Sequence, residues 1–161
     1  MKTVSFVAAS SNSGKTTLIE KVVRILKGRG LTVAVVKHAS KGFELDRPGK
    51  DSWRFREAGA DAVLLIGPEG YALQKRSGRM PEPAEIARLV GDADIVIREG
   101  FKHEPGAKIE VFRTGVSGQQ PLCLEDRTFL ALVSDERIDA GIPWYHIDDA
   151  AGVAEHLAAK L

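Results

Sequence analysis

The chain has 161 residues, which is most economically one domain and is long enough to bury a sizeable core. Its formal net charge of +1 excludes the strong positive field that non-specific nucleic-acid binding needs. A lone cysteine, Cys123, excludes an internal disulfide framework, and the apolar run at 4–8 is too short for a membrane span and lacks the layout of a signal peptide. We therefore expect a single domain over 1–161 that lies in the cytoplasm and binds neither nucleic acid nor membrane.

The N-terminal part of the chain predicts a strand, a helix and a second strand. Residues 4–8 are typical of a strand buried on both faces, and residues 15–27 carry apolar side chains at helical spacing before Gly28. Residues 31–36 form a second apolar run of strand length. Such a unit requires two parallel strands joined by a right-handed crossover.

The rest of the chain alternates short apolar runs with helical segments, which predicts a three-layer α/β fold with a mostly parallel sheet. Strands are expected at 62–66, 71–75, 94–97, 108–113, 129–133 and 145–147. Helices are expected up to residue 58 after a cap at Asp51-Ser52, at 84–90, and at 150–160 after a cap at Asp148-Asp149. A turn at 67–70 predicts an antiparallel hairpin at the edge of the sheet.

Residues 9–17 match the second half of the P-loop (Walker A) pattern, in which Gly-Lys-Thr stands between a strand and a helix. Gly14 allows a tight turn that points N–H groups at a phosphate, Lys15 brings charge to the β- and γ-phosphates, and the Thr16 hydroxyl can bind magnesium. Ala9 replaces the first glycine of the pattern, which is tolerable if it needs no positive φ. The expected nucleotide contacts are Ser11, Asn12, Ser13, Gly14, Lys15, Thr16 and Thr17. The alternative is a turn in which Thr16 or Ser13 only caps the helix.

Acidic residues after neighbouring strands are candidates for holding the metal ion of such a loop. Glu99 follows the apolar strand at 94–97 and is, with Lys15, a candidate catalytic group. Asp46 and Asp51 lie in the segment after the second strand, and either could be a metal ligand beside Glu99. The alternatives are a solvated loop acid at Glu99, a surface charge at Asp46 and a helix N-cap at Asp51.

Asp135 is the candidate for recognising the base of the nucleotide. The Asn-Lys-x-Asp stretch with which small GTPases read guanine is absent. Asp135 follows the strand at 129–133, and a carboxylate there could accept hydrogen bonds from a guanine edge. The alternative is a turn acid after a strand, so the residues leave both GTP and ATP open as the ligand.

A resemblance to a known family rests on six stretches taken together. They are A-x-x-x-S-G-K-T-T at 9–17, V-K-H at 36–38, D-R-P-G-K-D-S-x-R-x-R-x-A-G-A at 46–60, R-E-G-F-K-H-E at 98–104, A-K-I-E-V-F-R at 107–113 and V-S-D at 133–135. This pattern resembles the molybdopterin-guanine dinucleotide biosynthesis adapter family, MobB, over about residues 3–135. The stretches at 48–52 and 99–103 are its specific parts.

The resemblance implies a P-loop NTPase-type fold and a homodimeric GTP-binding adapter, a weak GTPase at most. It implies Mg²⁺, a guanylyltransferase-type partner that joins GMP to molybdopterin, and molybdopterin itself as a further candidate ligand. By matching position it assigns phosphate binding to 14–17, metal binding to Thr16, Asp51 and Glu99, and an adjoining surface to Lys37, His38, Lys102 and His103. Two alternatives are a small-molecule kinase or ATP-dependent ligase resembling dethiobiotin synthetase, and a partner-binding module that uses nucleotide only as a structural ligand. The sequence contains no evident water-positioning glutamine or arginine finger, so we expect slow turnover.

Overall fold

The structure is a computed structural model, and it describes residues 2–116, 118–126 and 128–160. The chain divides into two compact units, one made of Met1–His38 with Val90–Leu161 and the other of Ala39–Leu89. The elements in chain order are β1 (Lys2–Val7), α1 (Lys15–Gly28), β2 (Val33–Lys37), α2 (Asp51–Glu57), β3 (Ala62–Gly67), β4 (Gly70–Lys75), α3 (Pro83–Val90), β5 (Ile95–Glu99), β6 (Lys108–Phe112), a 3-10 turn (Leu122–Leu124), β7 (Phe129–Ser134), β8 (Trp144–His146) and α4 (Ala150–Lys160). Among the described residues, no helix is both long and apolar enough to cross a membrane.

The first unit is built on a six-stranded sheet in the order β2-β5-β1-β6-β7-β8. Every neighbouring pair in it is parallel, as buried apolar runs separated by crossovers require. The main core packs α1 and α4 against the sheet, with Leu18, Val22, Val153 and Leu157 fully or almost fully buried. The predicted α/β class with a mostly parallel sheet is confirmed.

A second buried cluster contains Val7, Phe112 and Leu132 together with Cys123 from the 3-10 turn. Burial, and next a hydrogen bond with Glu110, raise the pKa of the Cys123 thiol to about 12. The cysteine is therefore a protonated core residue, which agrees with its small apolar character.

The second unit contains the predicted hairpin. β3 and β4 pair antiparallel from Ala62 opposite Lys75 to Gly67 opposite Gly70, and this part of the prediction is confirmed. Its placement at the edge of the main sheet is wrong, because β3 and β4 form a two-stranded sheet of their own. A tight turn lets two strands satisfy their ladder locally, so their apolar pattern does not reveal which sheet they join.

The predicted caps of helices α2 and α4 have different outcomes. The predicted cap of α2 is wrong, because the helix begins at Asp51 with Lys50 at the N-cap and no side-chain bond there. Asp51 instead pairs with Arg54 at 3.8 Å. The cap of α4 is confirmed for Asp149, whose Oδ1 accepts the Gly152 N–H at 2.9 Å.

Candidate functional site

The carboxyl ends of the six parallel strands lie at one edge of the main sheet, called the carboxyl edge below. The loop at 8–14 leaves this edge after β1. Lys37 ends β2, and Glu99 ends β5 directly opposite it. Arg113 follows β6 and Asp135 follows β7. The fold therefore brings the loop and these four side chains to the same edge.

The loop turns into α1 through Gly14, which has a φ of +86° and stands at the N-cap with no side-chain hydrogen bond. Neither Thr16 nor Ser13 caps the helix, because the Thr16 hydroxyl donates to Glu99 and the Ser13 hydroxyl has no partner among the described residues. Phosphate binding by this turn stays a prediction. No side chain in the described part of the chain caps the start of α1, and uncapped N–H groups at a helix start can bind an anion. Ala9 is not among the residues with positive φ, which meets the condition for replacing glycine there.

Ser13 is the least exposed polar residue of the loop, at 3%. Its hydroxyl is buried and has no hydrogen-bond partner among the described residues. Ser13 is also one of the residues that line a cavity of about 440 Å³. The cavity is lined by Ser11, Asn12, Ser13, Gly14, Lys15, Thr16, Thr17 and Glu99. A buried hydroxyl without a partner is costly, so the loop carries an unsatisfied polar group next to this cavity.

Glu99 lies against the loop. Its Oε1 accepts a hydrogen bond from the Thr16 hydroxyl at 3.0 Å, and its Oε2 lies 3.5 Å from the Lys37 Nζ. Its side chain is 13% exposed, so Glu99 is not the solvated loop acid of the alternative interpretation. The arrangement joins a hydroxyl, a carboxylate and an ammonium group from three segments of the chain.

Burial lowers the pKa of the Lys15 ammonium below its ordinary value, the nearby Glu99 carboxylate opposes that effect, and Lys37 adds to it. The protonated form of Lys15 is thus less stable here than in water. A polyanion bound at the loop would favour the charged form and compensate for its lost hydration.

The backbone at the exit of β5 is unusual and was missed by sequence reasoning. Gly100 has a φ of +94° and Phe101, which is buried, a φ of +57°. Phe101 and Asn12 are the two non-glycine residues with positive φ in the described chain. Such conformations concentrate at functional sites, and both lie in or beside the loop and Glu99. The Glu-Gly-Phe order after an apolar strand is the sequence signal that could have found this turn.

On the other side of β1, Asp135 and Arg113 lie together. Asp135 Oδ1 accepts the Thr114 N–H at 2.9 Å, and Oδ2 lies 4.0 Å from the Arg113 Nε. Burial raises the pKa of Asp135, but the hydrogen bonds with Thr114 outweigh it, so the carboxyl pKa is lowered. Base recognition by this carboxylate stays a prediction. In the sequence, Arg113 is only the last residue of a predicted strand, because its nearness to the loop follows from β6 lying beside β1.

Asp46 and Asp51 belong to the second unit. Asp51 is 84% exposed in its pair with Arg54, and Asp46 Oδ1 accepts the N–H of Arg47 at 2.8 Å. Among the described residues, no group of three or more His, Cys, Asp or Glu side chains could hold a metal. Magnesium at a phosphate site does not require one, since phosphate oxygens and water complete its shell. Metal binding by Asp46 or Asp51 therefore stays a prediction.

A glycine turn before Lys-Thr, set between a central parallel strand and a helix with an acid on the next strand, defines a P-loop NTPase-like α/β protein. Within this class, the family model MobB, "Molybdopterin guanine dinucleotide synthesis protein B", matches residues 3–135. The chain belongs to this family, and the resemblance inferred from the six stretches is confirmed.

Individual relatives agree with the family match. A molybdopterin-guanine dinucleotide biosynthesis adapter protein of Escherichia coli K12 is 33% identical over 155 residues, covering 92% of this chain and 87% of that protein. The adapter protein of the same name from Haemophilus influenzae is 36% identical over 134 residues, covering 80% and 72%. A crystal structure of molybdopterin-guanine biosynthesis protein B is similar with a TM-score of 0.73, at 32% identity, over 99% of both chains.

Proposed function

We propose that this chain is an adapter in molybdopterin-guanine dinucleotide synthesis that binds GTP with Mg²⁺ at its P-loop and assists a GMP-transferring, guanylyltransferase-type partner. The observation that carries the nucleotide part is the turn through Gly14 into α1, with Glu99 bonded to the Thr16 hydroxyl at 3.0 Å. The adapter part is supported by the names of the relatives from Escherichia coli and Haemophilus influenzae.

The phosphates would contact the turn from Ser13 to Lys15. The N–H groups at the start of α1 offer donors, and Lys15 offers a positive charge. The phosphate charge would also offset the burial that lowers the pKa of Lys15. Asp135 is the candidate acceptor for a guanine edge.

The residues present fit a magnesium ion. Thr16 Oγ1 and Glu99 Oε1 meet beside the loop, 3.0 Å apart in a hydrogen bond, and hydroxyl and carboxylate oxygens are the hard ligands that Mg²⁺ takes. These two residues would hold the ion, with Asp51 and Asp46 as further candidates. The ion would neutralise phosphate charge, Lys15 would orient the phosphates and stabilise the negative charge that develops on them, and Glu99 would act in hydrolysis by holding the ion. Hydrolysis by this chain is slow in this proposal, because a partner supplies the group that positions water.

The proposed adapter acts as a homodimer. β3 and β4 expose several large apolar side chains, and a second copy that covers them would remove this surface from water. These side chains are Leu64, Leu65, Ile66, Tyr71 and Leu73. β3 and β4 form a two-stranded sheet, so each strand has an outer edge with which another chain can pair.

A nucleotide titration tests the proposal. We expect wild-type chain with Mg²⁺ to bind GTP more tightly than ATP, and the Lys15→Ala variant to lose about 100-fold in GTP affinity because a charge-assisted contact is removed. The matched control is Lys21→Ala on the same helix, whose ammonium pairs with Asp148 at 3.6 Å. A preference for ATP, or equal affinity of Lys15→Ala and wild type, would contradict the nucleotide part.

The adapter part has its own readout. Partner binding and dinucleotide yield are measured for wild-type and Lys15→Ala chains with the guanylyltransferase-type partner and GTP. We expect Lys15→Ala to reduce both. Hydrolysis stimulated many-fold by a small molecule, but not by the protein partner, would instead indicate the kinase or ligase alternative.

A further inference from the structure

The guanidinium of Arg113 lies between the P-loop and Asp135. Its Nη2 is 3.7 Å from the point that a Cβ on Gly14 would occupy, which puts it against the turn that starts α1. Its Nε is 4.0 Å from Asp135 Oδ2. A positive charge from the strand next to β1 thus reaches the loop on the side away from Glu99.

The backbone that carries Arg113 is held firmly. Arg113 directly follows β6, all five residues of which are buried. The Arg113 carbonyl accepts the N–H of Val116, and the following N–H, that of Thr114, is bound by Asp135. The start of the Arg113 side chain is therefore fixed at the carboxyl edge, next to the loop.

The Arg113 guanidinium has N–H donors that its ion pair with Asp135 does not use. A distance of 4.0 Å to Asp135 is an ion pair and too long for a hydrogen bond. The side chain is 44% exposed, and the pair with Asp135 is the only ion pair of Arg113 within the described ranges. The planar guanidinium therefore retains donors for an oxygen anion placed at the loop.

The order of the strands divides the carboxyl edge into two sides. Thr16 and Glu99 lie on the β5 side of β1, where the proposed metal and the outer phosphates belong. Arg113 and Asp135 lie on the β6 and β7 side, where the nucleoside end belongs if Asp135 contacts the base. A group between the loop and Asp135 then faces the phosphate nearest the ribose.

We propose that Arg113 binds the inner, α-phosphate of the nucleotide. This inference rests on the proposed function, since it requires a nucleotide at the P-loop. It adds a binding residue that contacts the ligand opposite Glu99 and fixes the direction in which the nucleotide crosses the carboxyl edge. The side chain is a ground-state binding group, distant from the phosphate that hydrolysis removes.

The test compares GTP and GDP binding by wild type, Arg113→Ala and Arg113→Lys in the presence of Mg²⁺. An α-phosphate contact is made with both nucleotides, so we expect Arg113→Ala to weaken both by the same factor, roughly 10- to 100-fold. Arg113→Lys keeps a point charge without the planar fork and is expected to recover part of the loss. The matched control is Arg24→Ala on α1, whose arginine is exposed and paired with Glu20, and it should bind as wild type does.

Three results would overturn the inference while leaving the proposed function intact. They are unchanged affinity of Arg113→Ala, a loss confined to GTP, and a changed GTP-to-ATP ratio with unchanged GDP affinity, which would assign Arg113 to positioning Asp135 alone. Thermal unfolding of each nucleotide-free variant checks the fold, and Arg113→Lys decides the question if Arg113→Ala is unfolded. Absence of nucleotide binding by wild type would overturn the proposed function itself.

Discussion

The two sheets of this chain are built from the same kinds of residue and bury them very differently. In β5, Ile95, Val96 and Ile97 are at most 2% exposed. In β3, Leu64, Leu65 and Ile66 are 53%, 49% and 80% exposed. Strand formation is thus a local property of aliphatic runs, whereas burial depends on whether crossover helices cover the sheet. α1 and α4 cover the main sheet.

The largest expected effect is in the covered sheet. Ile97→Ala should lower the free energy of unfolding by about 2–5 kcal/mol, because it leaves a cavity in a fully buried position. Ile66→Ala in the hairpin should cost less than about 1 kcal/mol, because only strand propensity and little burial are lost. Urea denaturation of both variants at low protein concentration measures the difference.

The Ile66→Ala variant also sharpens the comparison at high protein concentration. If a second copy covers the hairpin, Ile66→Ala should weaken self-association in sedimentation experiments, while the exposed apolar residue Leu124, replaced in Leu124→Ala, should not matter. Equal unfolding costs of Ile97→Ala and Ile66→Ala for the isolated monomer would break the contrast between the two sheets.

A smaller effect is expected at a buried charge of the main sheet. Glu110 in β6 is fully buried, and its carboxylate accepts the N–H groups of Leu122 and Cys123, both at 2.9 Å. Glu110→Gln replaces one acceptor with a donor and should cost about 1–3 kcal/mol, because one backbone N–H loses its partner. Urea denaturation measures this loss in the free energy of unfolding. The exposed Glu125, changed to Gln, serves as the control, and a similar cost for both would show that the two bonds contribute nothing.

The smallest effect is expected at Asp94, which directly precedes β5. Asp94 Oδ2 accepts both the N–H and the hydroxyl of Thr32 at 2.7 Å, and these bonds lower the pKa of the carboxyl. The carboxylate therefore stabilises the fold above its unfolded pKa of about 3.8, and the contribution is lost as pH falls through the lower folded pKa. Asp94→Asn should be less stable than wild type near pH 6, with the difference shrinking toward acid pH.

Thermal unfolding against pH measures that difference. Asp92→Asn is the control, since the backbone carbonyl of Asp92 contacts Thr32. A difference between Asp94→Asn and wild type that stays constant down to pH 2 would contradict the role given to the ionised carboxylate.

Much of the main sheet could be predicted from sequence, because its strands are unbroken apolar runs with turn residues between them. The neighbourhood of Thr16 and Glu99 was predictable too, since each follows or ends a strand of a parallel sheet at its carboxyl edge. The first and last residues of the strands were less predictable. β2 begins at Val33 and not at residue 31, because the preceding Thr32 is held by Asp94, which is 62 residues away.

Other features depend on strand order, which local patterns do not contain. Arg113 reaches Gly14 only because β6 lies beside β1. β3 and β4 form a separate sheet because, among the described residues, neither pairs with a strand of the main sheet. The aliphatic pattern of β3 would be the same in either sheet, so the sequence does not show which one it joins. The strained turn at Gly100-Phe101 required the φ angles themselves.

The two hydrogen bonds of Glu110 link the opening of the 3-10 turn at Leu122–Leu124 to the unfolding of the main sheet. Leu122 and Cys123 lie in an irregular stretch that would ordinarily open by itself many times before the domain unfolds. Their N–H groups donate to a carboxylate in the middle of the sheet, so opening this stretch leaves the buried Glu110 side chain without these two partners. The 3-10 turn at Leu122–Leu124 is therefore expected to open together with the sheet and not by itself.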